Sequence, residues 1–298
     1  MGANLKEVRE RIKSVMNTQQ ITKAMKMVSA AKLRRAQTAI QQLRPYADKL
    51  NAMLRNILSN LEGDASTTYG QERPVERACI VVVTSNRGLC GAFNANVCKA
   101  AVATIEAKYA GVRAKGNLDI LCVGKRGAEF FKKRYPDCRV IVDHMMLFED
   151  LSSNNVGTVS GKLMEAFVSK EYDAVEVAYG RFRNAAMQYA EVERWLPVAK
   201  LEVQAGASTK KADYIFEPTK EGLLEYLVPS ILKTQFQKYL LDTHASEHGA
   251  RMTSMDKATE NANDLLRDLR INYNKARQET ITNEILEIVG GAAALSGN

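Results

Sequence analysis

Among 298 residues there are six prolines, three histidines, one tryptophan and no CxxC pair. Each scarcity excludes something. Without CxxC pairs there is no zinc ribbon and no thioredoxin-type redox motif. Five cysteines, an odd number scattered through strand-like segments, read as reduced, buried thiols in a cytosolic compartment. Three histidines, none beside a distinctive nucleophile, support no Ser-His-Asp or Cys-His constellation. No apolar run approaches the ~18 residues that would span a bilayer. The opening MGANLKEVRERIKSV lacks the apolar core of a secretory signal, and Lys6 stands where myristoylation wants Ser or Thr. Glycine and proline are nearly missing from both ends. Residues 1–60 hold only Gly2 and Pro45, and residues 250–289 hold neither type. That second stretch, 40 residues long, has room for a helix of about 60 Å.

Positive charge is concentrated at the start. Residues 1–60 carry twelve Lys or Arg against three acids, a net of +9, and the rest of the chain sums to −1. Such asymmetry calls for an acidic partner: a nucleic acid, an anionic membrane or an acidic protein surface. The same residues are rich in helix formers. Leu5, Val8, Ile12 and Val15 recur at coiled-coil spacing. A strict heptad would next place Gln19, Thr22 and Lys26 in the seam, whereas the apolar residues resume out of phase at Ile21, Met25 and Val28. The pattern predicts a long helix whose buried side changes along its length.

The middle of the chain differs. CIVVVTS (79–85), LDILCVG (118–124) and RVIVD (139–143) read as strands buried on both faces. Helix-like segments separate them at Ala95–Tyr109 and Arg126–Tyr135, and VGTVSGKLMEAFVSK follows as another helix. AVEVAYGRF and MQYAEVERWLPV alternate like an antiparallel pair. The fold class is α/β: a doubly wound, Rossmann-like sheet with an antiparallel edge, flanked by long N- and C-terminal helices paired as an antiparallel coiled coil. The expected divisions are 1–60 for the first helix, 75–198 for the α/β domain, 199–220 for an irregular foot or linker and 221–298 for the last helix.

Four motifs suggest chemistry. VGTVSGKL (156–163) imitates a phosphate loop, but three residues separate its glycines where four are needed, and Leu163 replaces the magnesium-holding hydroxyl. NRGLCGAFN (86–94) leaves the first strand as a tight turn and lacks the full dinucleotide fingerprint. HASEH (244–248) matches H-x-x-E-H literally, with His244 and His248 on one helical face and Glu247 as base. A catalytic zinc also needs a third ligand and a cleft, and this helix reads as an exposed rod, so no metal is expected. KLRRAQ (32–37) could follow phosphates, but only Tyr46 would stack a base. Three function classes stay open on these residues: a coupling or structural protein, a basic coiled nucleic-acid-binding protein, and a zinc hydrolase.

The final stretch ITNEILEIVGGAAALSGN ends a helix on bare, small, apolar residues, although termini are usually polar and fray. NTQQITKAMKMVSAAKLRRAQ (17–37), TSNRGLCGAFN, SEHGARMTSMDKATENA (246–262) and NYNKARQETITNEILEIVGGAAAL (272–295) together resemble the gamma subunit of F-type ATP synthases, in the right order along essentially the whole chain. That resemblance implies a non-catalytic rotor with no cofactor and no direct nucleotide, nucleic-acid or zinc binding. Its terminal helices would turn inside a hexamer of three alpha and three beta subunits, with the α/β module and foot on an epsilon-type subunit and the membrane ring of c subunits. It further implies coupling contacts to catalytic subunits at Met25, Arg251, Arg277, Gln278 and Thr282. Val289, Gly291, Ala292 and Ala294 would form a bearing tail in an apolar sleeve, and Tyr214 in ADYIFEP a ring-facing foot. The cysteines lack the close pair of the redox-switched chloroplast branch, so no thiol regulation is expected. The start, without a transit segment, favours a bacterial source and a peripheral place on the cytoplasmic side of the inner membrane.

Overall fold

The segment ACIVVV is buried at all six positions and forms strand β1, Ala78–Val83. A run of β-branched residues with no polar member fits only a pleated surface covered on both sides. The computed structural model describes residues 5–59, 68–198 and 220–296. In chain order these form α1 (Leu5–Ser59), β1, α2 (Phe93–Lys108), α3 (Ala110–Ala114), β2 (Leu118–Val123), α4 (Lys125–Arg134), β3 (Arg139–Ile141), a 3-10 turn at Leu147–Glu149, α5 (Ser153–Val168), β4 (Ala174–Phe182), β5 (Gln188–Leu196) and α6 (Lys220–Ser296). Only α3 and the 3-10 turn were not foreseen from the sequence. Tyr214 and the rest of the expected foot, apart from its last residue, lie outside the described residues.

The five strands lie in the order β3-β2-β1-β4-β5. β1 pairs in parallel with β2, Ala78 opposite Leu118, and with β4, Ala78 opposite Ala174. β5 returns antiparallel to β4 as the edge. The strand period of two sorts the core into two layers. Cys79, Val81, Val83, Val175, Val177 and Tyr179 face α5 and the Leu227–Leu240 stretch of α6. Ala78, Ile80, Val82, Leu118, Ile120 and Cys122 face α2 and α4. The sheet is therefore covered on both faces, as its apolar strands require.

The chain divides into two units, one of Met1–Ser29 with Met252–Asn298, the other of Ala30–Arg251. The first is the antiparallel helix pair; the second holds the sheet and its covering helices.

VGTVSGKL lies inside α5, which explains why it is no phosphate loop. Backbone N–H groups in a helix interior are already bonded to the preceding turn and cannot cradle an anion. Four of the five thiols are buried. Burial raises Cys98 to about 11 and Cys122 to about 12, so both stay protonated and unreactive near neutrality.

Candidate functional site

In the helix pair, the seam of α1 does not change side, and this corrects the sequence reading. The heptad runs on through polar residues: Val8, Thr22 and Ser29 are buried and Ile12, Val15, Gln19 and Lys26 half-buried, while Ile21 and Val28, assigned to the buried stripe, are 59% and 58% exposed. Gln19, Thr22 and Lys26 are tolerated because each meets a partner on α6. Thr22 and Thr259 share a hydrogen bond of 2.8 Å, Lys26 donates to Asp256 at 2.5 Å, and Gln19 donates to Asn263. Arg9 donates to the Tyr273 hydroxyl at 2.9 Å and lies over its ring. On α6 the facing positions Met255, Ala262, Leu266, Leu269 and Ala276 are buried, and with half-buried Thr259 and Tyr273 they complete an alternating four- and three-residue spacing. Beside this seam Met16, Gln19, Asn263, Leu266, Arg267 and Arg270 line a groove of about 390 Å³, electropositive through its two arginines.

The expected coupling residues sit differently from one another. Met25 is half-buried, next to the seam and in line with exposed Ile21 and Val28. Arg277, Gln278 and Thr282 are exposed, just beyond the last buried seam residue, Ala276. From Arg277 onward every α6 residue with a described side chain is exposed, including Ile281, Ile285, Leu286, Ile288, Val289, Gly291 and Ala292. Ala294 belongs to the same helix, but its side chain is not described.

In the sheet-bearing unit, the HASEH segment corrects a second expectation. It is not an exposed rod: Ala245, Ser246, Glu247 and His248 are buried. Its charge is used within the chain. Arg251 donates to Glu247 at 2.6 Å and to the carbonyls of Arg87 and Gly88 in the β1–α2 turn, at 3.1 and 3.2 Å. The Arg251 guanidinium, expected to reach a partner, is thus itself buried. It also donates to His248 Nδ1 at 3.1 Å. A guanidinium has no acceptor, so His248 carries its proton on Nε2 and donates to His244 Nε2, 3.1 Å away. His244 in turn stacks on Phe148. Desolvation lowers His244 to about 4 and His248 to about 3, so both are neutral near pH 7. Burial also raises Glu247, with Arg251 opposing. A base locked in an ion pair and one imidazole spent on another do not form an open metal site, and no group of three or more metal-ligating side chains occurs among the described residues.

Comparison with known proteins decides the family. The family model described as ATP synthase matches residues 4–295. The ATP synthase gamma chain of Cytophaga hutchinsonii is 52% identical over 98% of this chain and 99% of its own. That of Flavobacterium johnsoniae is 50% identical over 99% and 100%. This chain belongs to the ATP synthase gamma-chain family. A chain from the Euglena gracilis mitochondrial ATP synthase, in a structure of OSCP, F1 and c-ring, shares the fold with a TM-score of 0.64 at 23% identity, covering 98% of this chain and 94% of its own. One from the Tetrahymena thermophila central stalk and c-ring gives 0.53 at 20%, covering 80% and 99%.

For a gamma chain, the features missed in the sequence are the polar rungs of the helix pair and the burial of the turn around HASEH. The rungs did have a signal. Asp256, Thr259 and Asn263 are spaced to meet Lys26, Thr22 and Gln19 in antiparallel register, so polar residues in one helix were matched by polar residues in the other.

Proposed function

We propose that this chain is the central rotor shaft of an ATP synthase, non-catalytic itself, that couples ion-driven rotation of a membrane c ring to conformational change in three catalytic beta subunits. The observation carrying this reading is the helix pair, with charge outside, apolar and polar rungs inside, and an apolar helical end whose side chains make no directional bond. Such an end presses on a surrounding sleeve through shape and burial alone, which depends little on angle. Met25 and the exposed Arg277, Gln278 and Thr282 supply the coupling contacts; Arg251 contributes by holding the β1–α2 turn. The basic face of α1 and the Arg267–Arg270 groove suit an acidic segment of a catalytic subunit. Residues 1–60 and 221–298 act as shaft, 75–198 as the side module and 199–220, with Tyr214, as the foot on the c ring and an epsilon-type subunit.

The mechanism follows from asymmetry. One shaft presents different faces to three chemically identical neighbours and biases each to a different conformation. Moving a site from 1:99 to 99:1 takes about 5.5 kcal/mol of differential contact, within reach of a few charged and packed contacts. Rotation passes the bias from site to site, and linkage makes the effect reciprocal. No helix among the described residues is long and apolar enough to cross a membrane; the chain is held at the cytoplasmic face of the inner membrane by its partners. Purification of the native protein with its companions tests the reading. Recovery of alpha, beta and c subunits is expected; co-purification with nucleic acid would replace the rotor by the nucleic-acid-binding alternative.

A further inference from the structure

The parallel register of β4 with β1 ends at Ala178. Two residues on, the backbone of Gly180 is bonded not by a strand but by α6: its N–H donates to the Thr243 hydroxyl at 3.1 Å, and its carbonyl accepts from Ser246 at 2.9 Å. Both hydroxyls are fully buried. The approach depends on a glycine, because a Cβ there would lie 2.4 Å from the Phe93 ring and 3.3 Å from Ser246 Cβ. Gly249, one turn on, faces the β4–β5 hairpin at Ala185 and Gln188, and Arg251 holds the β1–α2 turn. Three separate parts of the α/β module thus converge on nine residues of α6.

From this we infer that Thr243 and Ser246 are positioning residues that fix the angular setting of α6 against the sheet, so that torque enters the helix without slip; the inference rests on the rotor reading above. The apolar stretch Leu227–Leu240 holds helix and sheet together, but burial is non-directional and resists rolling weakly. Hydrogen bonds to the N–H and C=O of one residue are directional and hold only at one angle. Removing both, at the usual net worth of one hydrogen bond each, raises the population of a rolled state about thirtyfold.

The test uses the complete complex in membrane vesicles. Thr243→Val with Ser246→Ala keeps the packing and removes the bonds. Expected are wild-type ATP hydrolysis without a gradient and at least about a twofold drop in protons moved per ATP against a full gradient, with Thr243→Ser behaving as wild type. An unchanged proton-to-ATP ratio overturns the inference. So does an equal fall of unloaded hydrolysis and of pumping in the assembled variant, which would make the hydroxyls ordinary folding contacts. If the double variant does not assemble, Ser246→Ala alone is judged by the same outcomes. A wild-type chain that supports no pumping would instead remove the rotor reading itself.

Discussion

His244 and His248 show how one residue type can change meaning with its surroundings. In the sequence they are ligand candidates; in the fold they are neutral links in a hydrogen-bond chain that starts at Arg251 and is faced by Lys32. Their lowered values have a definite sign. The unfolded chain binds two protons near pH 6.5 that the folded chain refuses until about 4 and about 3, so stability is lost as pH falls through that window. Asp242 acts in the opposite sense: burial raises it to about 6, and the folded chain gains stability as it takes up that proton. With His244→Gln and His248→Gln together, denaturant titrations at pH 7 and pH 5 lose the histidine contribution, about 1.4 kcal/mol per pH unit for each proton no longer involved. Identical pH slopes for variant and wild type would mean that the two rings titrate in the folded chain as in water. At Met25 the expectation is functional. Met25→Lys adds a cation where an acidic partner surface is proposed, and one such pair is worth on the order of 1–3 kcal/mol. It deepens one angular well, so proton pumping in vesicles falls more than ATP hydrolysis; equal retention of both would leave Met25 a packing residue beside the seam.

At the scale of elements, what was legible and what was not divide cleanly. The strands could be read because continuous β-branched runs have one physical outlet; the β4–β5 pairing was read from alternation in the sequence, although β4 is buried at seven successive positions and only β5 forms the edge. The helix pair was half legible. Its existence follows from length and the missing glycine and proline, but its phase beyond Val15 depends on partners over two hundred residues away. Gln19, Thr22 and Lys26 are poor seam residues alone and acceptable ones opposite Asn263, Thr259 and Asp256. Polar rungs of this kind fix register at a cost in stability. Thr22→Val with Thr259→Val, at the rung that is buried on the α1 side, should therefore raise the thermal midpoint of the chain by a few degrees, by about 1 kcal/mol of added burial, while either change alone lowers it by stranding the other hydroxyl. Calorimetry of the three variants checks this; a single variant as stable as the double would mean that the Thr22–Thr259 rung carries no pairing energy.

For the whole molecule, family membership and fold could be read from four motifs. The clasp around Thr243–Arg251 could not, because a helix segment shows nothing in its own sequence of the sheet that buries it. The C-terminal end remained a question of surroundings: apolar in sequence and exposed in the single chain. Deleting Gly291–Asn298 should weaken assembly and heat resistance of the complex yet leave substantial coupled activity. Ala292→Asp with Ala294→Asp should do more harm, since it places unpaired charge in an apolar sleeve. Assembly yield and pumping of both variants are the measurements, and a wild-type Asp variant would mean that no sleeve encloses the tail. The seven-residue repeat through Gln19, Thr22 and Lys26 has one more consequence. Two right-handed helices meeting every seven residues wind around each other to the left. A twist that tightens this winding presses Val8, Leu266 and Leu269 closer, whereas the opposite twist opens the interface and strains the directional rungs first. The shaft is accordingly a handed spring, stiffer when turned one way than the other, and because the end that drives and the end that resists exchange places between synthesis and hydrolysis, both loads twist it in the same sense.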